Sequence, residues 1–268
     1  MNVKQLDQAY LVLEMIDKPT FYEGELWFQL LYTINKSMNE NVQVYEEKML
    51  AFKEYIEMWI HEIKLPISSL LLRMHNQKDR RWVEELKRME DAVEQVLYYT
   101  RSENAGKDYL IMEVSLDKII KSVALKNKDY LLENKIDLQV LNLHFQVFTD
   151  SKWLEFILNQ IVNNSIKYRR EEVESYIQIE AKEEKNTIIL SILDNGIGIP
   201  ASDISKVFDK SFTGQNGRIE AKATGMGLFI AKKMCQKLGH DITIESKKNA
   251  YTKVYITFSK NKFYEVIR

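Results

Sequence analysis

The chain holds a single cysteine, Cys235, so it can form neither an internal disulfide nor a cysteine-rich zinc site, and a reducing compartment is expected. The ordinary place for that residue is the buried side of a helix. Only three prolines interrupt 268 residues, which leaves room for long helices. No apolar run reaches the roughly 18 residues that a membrane span needs. Lys4, Asp7, Glu14, Asp17 and Lys18 exclude a signal-peptide core, so the chain as it stands is expected in the cytosol. Neither sign of charge dominates: 38 basic and 39 acidic residues leave a net charge of −1. That balance argues against a nucleic-acid partner and against a disordered acidic tail. Glycine is scarce, nine in all, yet seven lie between Gly196 and Gly239. Such clustering points to one backbone-built site in the C-terminal third. The remainder, 45% hydrophobic, suffices for roughly two globular domains at about 150 residues each.

Residues 3–16 read as a short helix broken at Asp17-Lys18-Pro19-Thr20. Thr20 followed by Glu23 is a capping-box signature, and the next helix is expected to run to about Gln77. Phe52, Ile56, Trp59, Ile63, Ile67 and Leu70 recur at spacings of three and four, which places them on one stripe. After a turn near Asn76–Asp79, Trp82, Leu86, Met89, Val93, Val96 and Thr100 repeat the pattern on a second helix. A helical hairpin buries only one face alone, so two hairpins in a homodimeric four-helix bundle are expected. Gly106 lies in a polar linker; beyond it helices are expected at 114–131, 152–168, 202–208 and 225–238. Strands are expected at 136–140, 146–149, 176–180, 187–192, 241–246 and 253–258. The fold class is therefore α+β: a helical hairpin followed by an α/β sandwich.

Four constellations carry chemistry. In Trp59-Ile60-His61-Glu62-Ile63-Lys64-Leu65-Pro66, His61 points away from the apolar stripe. The neighbouring carboxylate of Glu62 can take a proton from one ring nitrogen and leave the other nucleophilic. Gln160, Asn164 and Lys167 share one polar helix face, able to offer an amide oxygen to a metal ion and an ammonium to phosphate. Asp194-Asn195-Gly196-Ile197-Gly198 follows a strand; a carboxylate at the start of a tight glycine loop can accept from the exocyclic amine of adenine. Thr224-Gly225-Met226-Gly227-Leu228 opens a helix and would expose backbone N–H groups to phosphate, with Thr213–Ala223 ahead of it as a lid.

Together these segments, with Phe208 and Phe212 between them, resemble the boxes of a bacterial sensor histidine kinase over roughly residues 45–260. The resemblance implies connector helices at 1–44, a dimerisation and histidine-phosphotransfer hairpin (DHp) at 45–105 and a Bergerat-type (GHKL) ATP-binding domain at 110–268. It implies that His61 is phosphorylated and that Glu62 is its general base. Asn164 would ligate Mg2+, Lys167 and Tyr168 would contact ATP, and Asp194 would read adenine. Gly196, Gly198, Gly225 and Gly227 would shape a pocket completed by Phe208, Phe212, Thr224, Met226 and Leu228. The spacing around His61, Phe212-Thr213-Gly214 and Ala231-Lys232-Lys233 most resemble the bacitracin-sensing kinases. Such kinases usually carry two membrane spans and work with a peptide-exporting ABC transporter and a response regulator. The chain would then be the cytoplasmic portion of a membrane-anchored protein. Leu65 departs from the Thr or Asn common there, Ala223 from the usual Gly or Ser, and Asn249-Ala250-Tyr251 from a late glycine turn. A GHKL-type ATPase or protein-serine kinase would leave His61-Glu62 unexplained; a dimeric adaptor with a decayed pocket would bind no ATP.

Overall fold

A computed structural model describes residues 17–76, 80–103, 109–214 and 224–260. The expected helix at 3–16, the turn at 77–79 and most of the expected lid lie outside them. The chain divides into two compact units, Met1–Leu86 and Lys87–Arg268.

The first unit is dominated by α1, Tyr22–Asn76, and takes in the start of α2, Arg80–Glu103. Glu23 and Glu25 sit in the first turn of α1, where carboxylates suit the positive end of the helix dipole. Pro66 lies inside the helix. Lacking an N–H, it leaves the Glu62 carbonyl without its usual partner four residues on. The buried line of α1 shares only Ile67 with the expected stripe, of which Ile56 and Ile63 are half-buried. Lys53, Ile60 and Ile67 are buried at a spacing of seven, whereas Phe52, Trp59 and Leu70 are 58%, 43% and 42% exposed. On α2, likewise, Leu86 and Tyr98 are buried while Trp82, Met89 and Val96 are exposed. The periodicity identified the helices but not which apolar line is covered, because a helix built for a bundle carries apolar residues toward more than one neighbour and a lone chain covers only part of them. No described helix is long and apolar enough to cross a membrane.

The second unit is a five-stranded sheet with helices on one face. Strands β2 (Asp137–Leu141), β4 (Tyr176–Glu184), β5 (Thr187–Asp194), β7 (Tyr251–Ser259) and β6 (Asp241–Lys247) lie side by side in the order β2-β4-β5-β7-β6. The β2–β4 pair is parallel and the others antiparallel. β1 (Met112–Ser115) pairs with β3 (Gln146–Thr149) in a separate ribbon, tied to the start of β6 by His240 Nε2 and Thr149 Oγ1 at 2.9 Å. Alternation fills the core: Ile177, Ile179 and Ala181 of β4, and Val254, Ile256 and Phe258 of β7, all point inward. Against them lies α5, Ser151–Lys167, capped by the Asp150 carboxylate, which accepts from Trp153 N at 2.9 Å. Its neighbours are α3 (Leu116–Lys126) and α7 (Gly227–Lys237), whose Cys235 is buried as expected of a helix residue.

Two expected helices are shorter. The span 114–131 begins in β1, and its helix breaks at Asn127 before resuming as α4, Lys128–Glu133. The buried Asn127 amide donates to Val123 O at 2.8 Å, alongside the Asn127 backbone N–H at 3.1 Å, and to Asn159 Oδ1 at 2.7 Å. The helix expected at 202–208 is confined to α6, Ala201–Ile204; successive bonds from Lys206 N to Asp203 O and Asp209 N to Lys206 O tighten the rest into three-residue turns.

Candidate functional site

Of the nucleotide-site residues expected from sequence, Asp194, Gly196 and Gly198 lie at one end of β5, with the Gly196 backbone against Tyr168 just beyond α5. Asp194, the last residue of β5, is buried. Its carboxylate accepts from Ser165 Oγ at 2.8 Å and from Gly196 N at 3.0 Å, and the Thr252 backbone also donates. Burial nevertheless outweighs these donors and pushes its pKa up to about 6. The loop beyond is tied back to α5, as Ile197 N donates to Tyr168 O at 2.9 Å. Asn195 faces the other way: its Oδ1 accepts from Tyr176 N at 2.9 Å and its Nδ2 donates to Glu174 O at 2.8 Å. Arg170 pins both loops, with Nε on Asn195 O and one terminal nitrogen on Asn249 O, each at 2.9 Å.

Gly198 has φ +63°, and a Cβ there would fall 2.1 Å from Lys247 O. The β6–β7 turn therefore packs directly on its backbone. That turn lacks a glycine, and Asn249 takes the left-handed conformation itself at φ +58° while donating to Ile197 O at 2.7 Å. The closing hairpin consequently forms despite its departure from the family pattern. Gly198→Ala is expected to destabilise the chain by at least about 1–2 kcal/mol from the backbone conformation alone, and the clash adds to it. Thermal denaturation compared with wild type measures it.

Asn164 and Lys167 are partly exposed on α5, and Lys167 Nζ lies 5.2 Å from the centroid of the Tyr168 ring. The second glycine segment closes on the same helix. Gly225, at φ +66°, would place a Cβ 2.5 Å from Ser211 C and 2.7 Å from Phe212 N, so the turn sits on the backbone beside Phe212. Thr224 Oγ1 accepts from Met226 N at 3.3 Å, and Met226, Leu228 and Phe208 pack against the core. Lys232 Nζ stands 5.2 Å over Phe208. His61 and Glu62 are exposed on α1, in the first unit.

This geometry suits a nucleoside triphosphate. A buried carboxylate with three donors still has a free lone pair for an amine, and close packing of the chain's own atoms on Gly196, Gly198, Gly225 and Gly227 fixes the path of both glycine turns. Among the described residues no group of three or more acidic, His or Cys side chains could cage a metal alone. The Asn164 amide fits a Mg2+ ion that shares its ligands with phosphate, as magnesium sites commonly do. Ser165, Arg170 and Ser246, which accepts from Ile199 N at 2.8 Å, are site-shaping residues that sequence reasoning missed. Each acts on backbone or on Asp194, which spacing does not reveal.

Residues 149–262 match the histidine kinase-, DNA gyrase B- and HSP90-like ATPase family, the class that this sheet and its two glycine turns define. The sensor histidine kinase YxdK of Bacillus subtilis (strain 168) is 31% identical over 218 residues, covering 80% of this chain and 66% of that protein. Sensor protein BceS of Halalkalibacterium halodurans is 28% identical over 231 residues, covering 84% and 68%. The Acinetobacter baumannii histidine kinase AdeS shares the fold, with a TM-score of 0.54 at 20% identity over 75% of this chain and 98% of that one. The chain belongs to the sensor histidine kinases, and it spans about two thirds of the length of the curated relatives it matches.

Proposed function

We propose that the chain autophosphorylates His61 with Mg-ATP and passes the phosphoryl group to an Asp of a response regulator. The observation that carries this reading is Asp194, a buried carboxylate held by Ser165 and Gly196 at the head of the Gly196–Gly198 loop, on a chain whose long helix exposes His61 and Glu62. A nitrogen of the His61 imidazole attacks the γ-phosphorus while Glu62 takes the proton from the other nitrogen. The bond from γ-phosphorus to the bridging oxygen breaks, and ADP leaves with its electron pair. In the second transfer the regulator carboxylate attacks the same phosphorus, the phosphorus–nitrogen bond breaks with its electron pair going to the ring, and the proton held by Glu62 returns so that neutral imidazole is regenerated. Asn164 would hold magnesium, which when bound supplies neutralisation of phosphate charge; Lys167, Tyr168 and the Gly225–Gly227 N–H groups would orient the phosphates. Phe208, Phe212, Met226 and Leu228 would wall the pocket.

Three parts divide this work along the chain: a connector at 1–44, the phosphotransfer hairpin at 45–105 and the ATP-binding domain at 110–268. The exposed apolar line Phe52, Trp59 and Leu70 supports homodimerisation through α1. The resemblance to bacitracin-sensing kinases supports a role in antimicrobial-peptide or envelope-stress signalling. It also supports a membrane-anchored native protein and an ABC-transporter partner. Incubation of the purified chain with magnesium and γ-labelled ATP tests the reading: an acid-labile, alkali-stable label is expected, and no label under conditions where ATP binds would overturn it.

Leu65 is 63% exposed, one turn beyond His61. A side chain there with no donor or acceptor cannot orient water for dephosphorylating the regulator. Leu65→Thr is therefore expected to shorten the half-life of regulator phosphate severalfold, measured by decay of labelled regulator with each kinase present.

A further inference from the structure

The part of α2 that belongs to the second unit reaches into the candidate nucleotide site. Gln95 Nε2 donates to Gln160 Oε1 on α5 at 3.3 Å, and Gln95 Oε1 accepts from the Thr224 hydroxyl at 3.4 Å. Thr224 Oγ1 in turn accepts from Met226 N at 3.3 Å. A continuous polar chain thus runs from Gln160 through Gln95 and Thr224 to the backbone of the second glycine turn. Its other end closes on that same turn, because a Cβ on Gly227 would fall 2.6 Å from Gln160 Oε1. A single α2 side chain accordingly meets the turn through the residue before it and through the residue lying against it.

Neighbouring contacts hold Gln95 in place. The buried Tyr98 ring packs on Phe156 of α5 with centroids 4.0 Å apart, and Tyr99 faces Phe229 of α7 at 6.3 Å. Lys126 Nζ donates to Glu94 Oε2 at 3.0 Å. Aromatic packing gives α2 a fixed seat, and the Gln95 amide is the polar group that carries this position to the turn. An apolar seat alone would need no amide with both a donor and an acceptor satisfied.

We propose that Gln95 is a positioning residue for the nucleotide site: through Thr224 and Gln160 it presets the Gly225–Gly227 turn before ATP arrives. The inference rests on the reading of that turn as phosphate-binding. Preorganisation adds affinity by removing the cost of ordering the turn on binding. The coupling is reciprocal, so whatever free energy α2 contributes to ATP binding, bound ATP returns to the seating of α2. A shift of this helix would therefore be read at the nucleotide site as a change in affinity.

The test is calorimetric titration of the full chain with a non-hydrolysable ATP analogue and magnesium. Gln95→Met keeps length but offers neither donor nor acceptor, and is expected to bind about tenfold more weakly, the size of two modest net hydrogen bonds. Gln95→Glu keeps an acceptor for Thr224, and the Gln160 amide can turn its NH2 toward it, so binding within about twofold of wild type is expected. Loss of packing alone would not produce that rescue. Thr224→Val and the double variant complete a cycle: the double variant should lose no more than the weaker-binding single, whereas additive losses overturn the proposal. So does Gln95→Met binding as wild type does. Gln95→Asn, too short to span both partners, carries the same expectation should Gln95→Met fail to fold. A wild-type chain that binds no analogue would instead sink the reading of the turn itself.

Discussion

Asp194→Asn is expected to make the chain more stable and to weaken its binding of ATP. In the ligand-free site the carboxylate is buried, and desolvation lifts its pKa from 3.8 to about 6 against the pull of its three donors. Between those values the folded chain holds a proton that the unfolded chain has released, so stability falls as pH rises from about 4 to 6. Above pH 6 both states are ionised and the deficit stays constant. A rise of that size puts the ceiling of the deficit at about 3 kcal/mol. Asparagine removes the charge but turns one nitrogen toward donors, so the net gain at pH 7 is expected at about 1–2 kcal/mol. For a unit of this size that corresponds to a rise in melting temperature of about 2–4 °C per kcal/mol. The gain should vanish below about pH 4, where the wild-type carboxyl is protonated in both states.

Binding moves the other way. An ionised acceptor for the adenine amine contributes about 1.5–3 kcal/mol, so Asp194→Asn should weaken ATP at least about tenfold. Wild-type affinity should itself decline as pH falls through about 6, since the protonated carboxyl must lose its proton before it can accept, and the Asn variant should lack that dependence. Differential scanning calorimetry and analogue titration at pH 5, 6 and 7.5 give both halves. A variant less stable than wild type at pH 7.5 would mean that Ser165, Gly196 and the Thr252 backbone outweigh desolvation. Stability withheld at a ligand-free pocket is the usual trade at a functional site.

Much of this arrangement was legible in the residues alone. The strand at 146–149 lies where alternation placed it, and 187–192 and 241–246 needed only one or two residues at one end. The expected helix at 114–131 is interrupted at Asn127, whose buried amide donates to Val123 O and Asn159 Oδ1. Glycine pairs marked both turns, since sequence shows where backbone is bare. What it could not show is what lies against bare backbone, such as Lys247 O on Gly198 or Gln160 on Gly227. Ser165 and Gln95 escaped notice for the same reason: each belongs to an amphipathic helix pattern, and only the fold brings its polar atoms to Asp194 or Thr224. The stripe on α1 was legible as a helix and is covered only in part, since Ile67 is buried and Ile56 and Ile63 are half-buried while Phe52, Trp59 and Leu70 are exposed.

His61→Gln should abolish the acid-labile label while leaving ATP affinity unchanged. A phosphoryl group on nitrogen is lost in acid and survives alkali, opposite to a serine or threonine ester, so lability alone identifies the acceptor type. The side chain is exposed on α1, and glutamine is a good helix former, so the substitution should cost little stability. An amide nitrogen has no free lone pair to attack phosphorus, and Glu62 then has no ring proton to take. A residual label in the variant that resists acid would place the acceptor on an oxygen and return the protein-serine kinase reading. Mixing His61→Gln with Asp194→Asn chains extends the test. The first keeps the nucleotide site and the second keeps the acceptor, so at ATP concentrations well below the dissociation constant of the Asp194→Asn chain the label reappears only where two chains associate and transfer crosses between them. Label in the mixture, with none in either variant alone, places donor and acceptor on different protomers; a dimeric mixture that stays unlabelled places them on one.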